Sequence, residues 1–256
     1  MAKDTFARKR ITVIGGGHMG SALAQGLVNA GVPRSRITVS DNSRGNLAAA
    51  KSADWIFLAV KPSVVVSVLA DITGTLEGKT IISLAAGVSV KAMKKRLHGV
   101  NCSIARIMPN IPVAYGEGVI GFYSGDIAAK NKRELKSVLG NLGLLVEVKK
   151  ESNLDTITLI AGCGPAIVSS FVSAYGKRAR TLGLSRNAEA IALQTFKGAL
   201  AYLERSGTAP EKLIDSVATK GGVTEAILKE LRRGGFEKIF ARAMQSGYKK
   251  IKGIHS

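Results

Sequence analysis

The 256-residue sequence predicts an α/β protein in two parts, a doubly wound and largely parallel sheet over residues 1–150 and an all-helical domain over 151–256. Three observations carry this expectation. Up to Val148, short β-branched runs alternate with stretches of helical apolar spacing, the pattern of strand and crossover helix. The first of those strands runs into a glycine turn that opens a helix. Beyond Glu151 no strand candidate remains, and the apolar positions keep helical spacing to the end.

Taken in order, Ile11, Thr12, Val13 and Ile14 form a β-branched run ending in Gly15-x-Gly17-x-x-Gly20, and the following SALAQGLVNAG closes a helix on Gly31. The first glycine permits the tight turn, the second lets a pyrophosphate approach the backbone, and the third lets helix pack on strand. The helix start adds N–H groups and a partial positive charge. A lone glycine fingerprint is weak, but this one has strand before and helix after it, the Rossmann-type context. The second strand, RITVS, ends at Asp41, about 20 residues on, where the ribose-reading residue falls. Asp41 favours a free 2'-hydroxyl and so NAD; Ser43 and Arg44 favour a 2'-phosphate and so NADP. Because arginine binds phosphate bidentately and the chain is basic, NADP is the expected cofactor, with NAD left open.

Only residues 42–54 separate Asp41 from the apolar strand WIFLAV, barely the roughly 10–12 residues of one parallel crossover. That leaves room for one short helix and for no further strand. The third strand of a Rossmann-type half is therefore expected to be missing, leaving strand two as a sheet edge and the adenine pocket short of a wall. Further strands are expected at 80–84, 102–107, 119–123 and 144–148, with a helix in AAGVSVKAMKKRL. Ligands bind at the carboxyl ends of such strands, so Val60, Lys61 and Pro62, then Ala85, Ala86 and Gly87, then Met108, Pro109 and Asn110 should line one crevice. The prolines also read as loop punctuation.

In the helical half, the small residues 161–166 are expected to open a long helix with a strongly apolar surface. Either a homodimer shares such helices or one subunit buries them as its core. A proline-opened helix then leads into SVATKGGVTE and the amphipathic AILKEL. Gly221 and Gly222 let a ligand reach the main chain, and Thr224 can cap the next helix or aim its hydroxyl outward. Such a turn suits a carboxylate, though a bare helix-turn-helix corner reads the same way.

Composition narrows the function classes. Lys and Arg number 37 against 18 Asp and Glu, a formal charge of +19 that favours anionic ligands. Aromatic residues make up 5% and interleave with no basic run, which weighs against a nucleic-acid partner. Cys102 and Cys163 form no paired motif and the three histidines no ligand spacing, so neither a disulfide scaffold nor a metal site is expected. The start of the chain lacks the apolar core of a signal peptide, and Lys61-Pro62 cuts the apolar stretch around WIFLAV, so no membrane span is expected and a cytoplasmic location is.

GGGHMG, LAVKP, RIMPNIP, AGCGPA and SVATKGGVTEAIL occur in this order, and with them nearly the whole chain resembles the pyrroline-5-carboxylate reductases. The resemblance implies a cytoplasmic, proline-forming oxidoreductase in which NAD(P)H reduces the C=N bond of 1-pyrroline-5-carboxylate, within a dimer of helical domains that sometimes assembles further. It implies that Gly15, Gly17, His18, Met19 and Gly20 hold the pyrophosphate and that Ser43 and Arg44 sit near the adenosine ribose. Val60, Lys61, Pro62, Ala85, Ala86 and Pro109 would border the nicotinamide, with Asn110 next to them at the strand end. Thr219, Gly221, Gly222, Val223 and Thr224 would hold the substrate, with Thr224 near the ring nitrogen as the catalytic hydroxyl. The chain departs from its relatives in the short segment after Asp41. Two other readings stand beside this one: a related dehydrogenase with another substrate, and a non-catalytic NADP-sensing protein.

Overall fold

The computed structural model describes residues 9–253, with the side chain of Ser43 outside the description. All the expected strands form, in one seven-stranded sheet ordered β2-β1-β3-β4-β5-β6-β7. Along the chain these are β1 (Ile11–Ile14), α1 (His18–Asn29), β2 (Ile37–Ser40), α2 (Ser43–Ser52), β3 (Trp55–Leu58), α3 (Val65–Ile72), β4 (Thr80–Ser83), α4 (Val90–Arg96), β5 (Ser103–Pro109), β6 (Gly118–Tyr123), α5 (Ala129–Leu139) and β7 (Gly143–Glu147). Neighbours run parallel except β5 and β6, which are antiparallel. Between those two lies only a 3-10 turn, Ile111–Tyr115, too short for a parallel crossover.

The apolar runs are continuous because both faces of the sheet are covered. On one face Val13 and Phe57 pack with Leu23 and Leu27 of α1 and Leu139 of α5. On the other, Ile56 and Leu58, one residue out of phase with Phe57, pack with Val65, Leu69 and Ile72 of α3.

Strand β2 is an edge, and α2 alone carries the chain from it across β1 to β3, so the third strand is missing as expected. Helix α2 is short but well started, since the Asn42 side chain caps it by accepting from the Gly45 N–H at 2.7 Å. Its inner face is fixed by Ala50, fully buried, and by the Thr12 hydroxyl donating to the Ala49 carbonyl at 2.9 Å. An open groove of about 540 Å³, lined by Thr38, Ser40, Asn42, Gly45, Ala48 and Ser52, runs where another strand would lie.

The small residues 161–166 do not open a helix. They sit inside a continuous one that includes α6 (Asn153–Ile157), a π-helical segment (Thr158–Gly162) and α7 (Gly164–Thr181). Pro165 explains the π segment, because it has no N–H for the Ala161 carbonyl one turn back. Asn110 supplies the missing donor, its Nδ2 lying 3.0 Å from that carbonyl, while Cys163 N–H reaches back to Thr158 O at 3.2 Å.

The chain divides into two compact units, Met1–Pro165 with Tyr248–Ser256, and Ala166–Gly247. Compaction places the division at Pro165. The reason is packing: Leu154 of α6 is fully buried, and a Cβ on Gly121 of β6 would lie 3.0 Å from it. The described residues from Tyr248 on join the same unit, where Lys252 donates to the buried Asp155 carboxylate at 2.8 Å and that hydrogen bond raises the lysine pKa.

The second unit holds most of α7, then α8 (Ala188–Ser206), α9 (Pro210–Val217), α10 (Val223–Arg233) and most of α11 (Phe236–Lys252). Among its described residues only Gly176, Ala188 and Ala192 are buried. Leu200 is 59% exposed, Ile227 55% and Ile239 53%. This unit buries too little apolar surface to stand alone, so its apolar faces need cover. The helix Asn153–Thr181 is also long and apolar enough to cross a membrane by length and composition, with a mean hydropathy of 1.7 in its most apolar window. The sequence expectation had looked to the stretch around WIFLAV instead.

Candidate cofactor and substrate sites

The glycine turn has the geometry its spacing predicts. Gly15 has φ +103°, donates its N–H to the Ser40 carbonyl at 2.7 Å, and leaves no room for a side chain, since a Cβ there would lie 2.5 Å from Ala59 O. A Cβ on Gly20 would lie 1.8 Å from Gly15 O. Gly17, the N-cap of α1, differs: a Cβ there meets nothing within 4 Å. The protein itself thus requires the first and third glycines, while the second borders open space at a helix start whose first N–H groups have no partner in the helix. That space, beside the N–H groups of His18, Met19 and Gly20, fits the pyrophosphate of a dinucleotide. His18 is exposed, and Met19 is half-buried against the core.

At the end of β2, the Asp41 carboxylate accepts from the Gly16 N–H and so braces the glycine turn. Asp41 is exposed and lines the open groove beside β2. Arg44 is exposed in the first turn of α2, a helix start that adds a partial positive charge to its own. The Ser43 side chain, the remaining member of this expected group, lies outside the described residues.

Strands β3, β4 and β5 are parallel, so their carboxyl ends lie at one end of the sheet and bring the expected crevice residues there. Lys61 is exposed, Val60 and Pro62 are half-buried, and Pro62 opens a 3-10 turn leading into α3. Ala85 is buried, Ala86 half-buried, and Gly87 turns the chain at φ +76°. Pro109 closes β5. Asn110 is buried, and both ends of its amide are engaged within the protein: Oδ1 accepts from Val119 N–H at 2.8 Å and Nδ2 donates to Ala161 O. Its side chain holds the β5–β6 connection to the π segment.

Sequence reasoning missed Arg106 and Glu151. Arg106, in mid-β5, is 2% exposed; its Nη1 lies 2.9 Å from Glu151 Oε1 and its Nη2 donates to the Ala85 carbonyl at 2.8 Å. The available signal was a lone charge in an otherwise apolar strand, SIARIMP, which demands an internal partner.

In the second unit, α9 and α10 are joined by the turn that the sequence singles out. Gly221 has φ +75°, and its N–H donates to Glu225 Oε2 at 2.7 Å. Gly222 is the N-cap of α10, and a Cβ there would lie 2.6 Å from Thr219 Oγ1. Neither Thr224 nor any other side chain caps this helix. Thr224 is half-buried in the first turn, its hydroxyl makes no hydrogen bond among the described residues, and Val223 is 80% exposed. The first helical bond here runs from Ala226 N–H to Gly222 O at 3.2 Å, so the N–H groups of Val223, Thr224 and Glu225 have no helical acceptor. A small carboxylate fits those donors, with the Thr224 hydroxyl beside it.

Among the described residues no group of three or more His, Cys, Asp or Glu side chains is placed to hold a metal. Residues 151–254 match the family model for pyrroline-5-carboxylate reductase dimerisation, and residues 10–87 match the model for NADP oxidoreductase, coenzyme F420-dependent. The pyrroline-5-carboxylate reductase of Corynebacterium melassecola is 34% identical, over 92% of this chain and 95% of its own length. Pyrroline-5-carboxylate reductase 3 of Danio rerio is 33% identical, over 98% and 93%. Among solved structures, the Plasmodium falciparum pyrroline carboxylate reductase with NADP bound superposes with a TM-score of 0.89 at 28% identity, over 98% of this chain and 99% of that one. The Coxiella burnetii pyrroline-5-carboxylate reductase gives 0.82 at 27%, over 97% and 99%.

Proposed function

The chain belongs to the pyrroline-5-carboxylate reductase family, and from that premise we propose that it reduces 1-pyrroline-5-carboxylate to proline with NADPH, as a soluble homodimer in the cytoplasm. One observation carries the substrate assignment. The turn at Gly221 and Gly222 leaves three N–H donors and a free hydroxyl together at a helix start, the chemistry that a cyclic imino acid needs.

The dinucleotide, when bound, supplies the hydride, and the protein's part is to bind, orient and exclude water. The N–H groups at the start of α1 hold the pyrophosphate, with Gly15 and Gly20 fixing the turn and Gly17 leaving it open. Arg44 and the first turn of α2, where Ser43 stands, hold the 2'-phosphate, and Asp41 braces the turn between them. Val60, Lys61, Pro62, Ala85, Ala86 and Pro109 border the nicotinamide. Val223, Thr224 and Glu225 offer main-chain N–H groups to the substrate carboxylate, Thr219 and the glycines shape that turn, and the Thr224 hydroxyl orients the ring nitrogen. An imine nitrogen is basic enough to be protonated near neutral pH before it binds, so no strong acid is needed beside it. The exposed apolar faces of α8, α10 and α11 are covered by a second copy, which also covers the apolar part of α7 and makes a membrane unnecessary to it.

The test is product analysis. With NADPH and pyrroline-5-carboxylate, proline should accumulate in a 1:1 ratio with NADP, a stoichiometry read by mass spectrometry and absorbance. NADPH oxidation without proline would assign the protein another imine or carbonyl substrate.

A further inference from the structure

Strand β4 ends at Ser83, and residues 84–89 then connect it to α4, which begins at Val90. In register, Ser83 pairs with Arg106 of β5, so the guanidinium lies under the start of this connection. Arg106 Nη2 donates to the Ala85 carbonyl at 2.8 Å, and Nη1 binds Glu151 Oε1 at 2.9 Å. The same Glu151 oxygen accepts from Val90 N–H at 2.8 Å. One ion pair, buried at its arginine end, therefore holds the segment from Ala85 to Val90 at both ends. A trans peptide is planar with C=O and N–H opposed, so fixing the Ala85 carbonyl on Arg106 turns the Ala86 N–H away from it. That N–H has no acceptor among the described residues.

We propose that Arg106, with Glu151, is a positioning residue for the reaction: by holding residues 85–90 it presents the free Ala86 N–H as a donor to the nicotinamide end of the cofactor. The proposal rests on the reductase reading for its substrate, but not for its cofactor. Arginine is the residue suited to it, since its planar fork reaches a carbonyl and a carboxylate at once, whereas a lysine ammonium is a single point donor. Most of the outlay in such a clamp goes to geometry, and a misplacement of about 1 Å at a reacting group costs up to about a hundredfold in rate.

The test compares wild type with Arg106→Lys and Arg106→Gln, titrating each with NADPH and with 2',5'-ADP, which lacks the nicotinamide. The expected result is 2',5'-ADP affinity within about twofold of wild type, a loss of bound-NADPH fluorescence, and kcat lowered about tenfold with KM for NADPH changed much less. If NADPH and 2',5'-ADP weaken together, Arg106 only stabilises the domain and the proposal is overturned; unchanged fluorescence and kcat overturn it too. A wild type inert towards pyrroline-5-carboxylate would defeat the reductase reading alone, because the fluorescence comparison would still decide the role of Arg106.

Discussion

Gly20→Ala should weaken NADPH binding by about a hundredfold or more, which corresponds to about 3 kcal/mol. The added Cβ would lie 1.8 Å from the Gly15 carbonyl oxygen and 3.2 Å from the Ala59 Cβ. The first of these is main chain, so no rotamer relieves the overlap. Gly15 cannot yield either, since it is held at φ +103° with its own Cβ position 2.5 Å from Ala59 O and its N–H bonded to Ser40. Helix α1 must therefore move off β1, taking with it the N–H groups that receive the pyrophosphate. Fluorescence titration with NADPH checks this, with oligomeric state as the control, because the helical unit holds none of these residues. Binding within about threefold of wild type would show that the turn is not the cofactor site.

Thr224→Val should lower turnover of pyrroline-5-carboxylate about tenfold or more while leaving NADPH affinity unchanged, the scale of one oriented hydrogen bond. Valine matches threonine in shape and in χ1 stiffness, so α10 keeps its first turn and only the hydroxyl is lost. That hydroxyl is not part of the local fold: Gly222 is the N-cap and Glu225 closes the turn by accepting from Gly221 N–H. A drop in turnover therefore reports on the substrate and not on the helix. Thr224→Ser, which restores the oxygen, should recover most of the rate. Unchanged turnover in the valine variant would remove Thr224 from the site.

The features legible in the sequence were those written in local pattern. Ile11 to Ile14 and the three spaced glycines lie within ten residues, and their geometry follows from β-branching and from Cβ overlap. The missing strand was legible from length, since residues 42–54 can make only one crossover. The paired glycines and the helix after them were legible from backbone freedom. What was not legible joins positions far apart in the chain. Arg106 meets Glu151 across 45 residues, and Asn110 meets Ala161 across 51. The second contact also explains why the small residues around Pro165 lie within a helix: a distant side chain replaces the hydrogen bond that proline removes. Asp41 shows the same limit. Its position suggests a ribose reader, and its bond to the Gly16 N–H, which ties it to the glycine turn across 25 residues, is not written in that spacing.

No strand lies beyond β2, and at the proposed adenosine end Arg44 and the start of α2 supply the positive charge. Affinity at that end should then lean on phosphate more than on a wall around the base.

The most direct measurement is therefore the rate of NADPH and of NADH oxidation on addition of pyrroline-5-carboxylate, for wild type and for Arg44→Ala. Rapid substrate-dependent oxidation is expected, faster per unit concentration with NADPH, with that preference falling in the arginine variant because only the 2'-phosphate distinguishes the two cofactors. No substrate-dependent oxidation in a protein that still binds NADPH would contradict the account, and would make this chain a dinucleotide-binding protein without turnover.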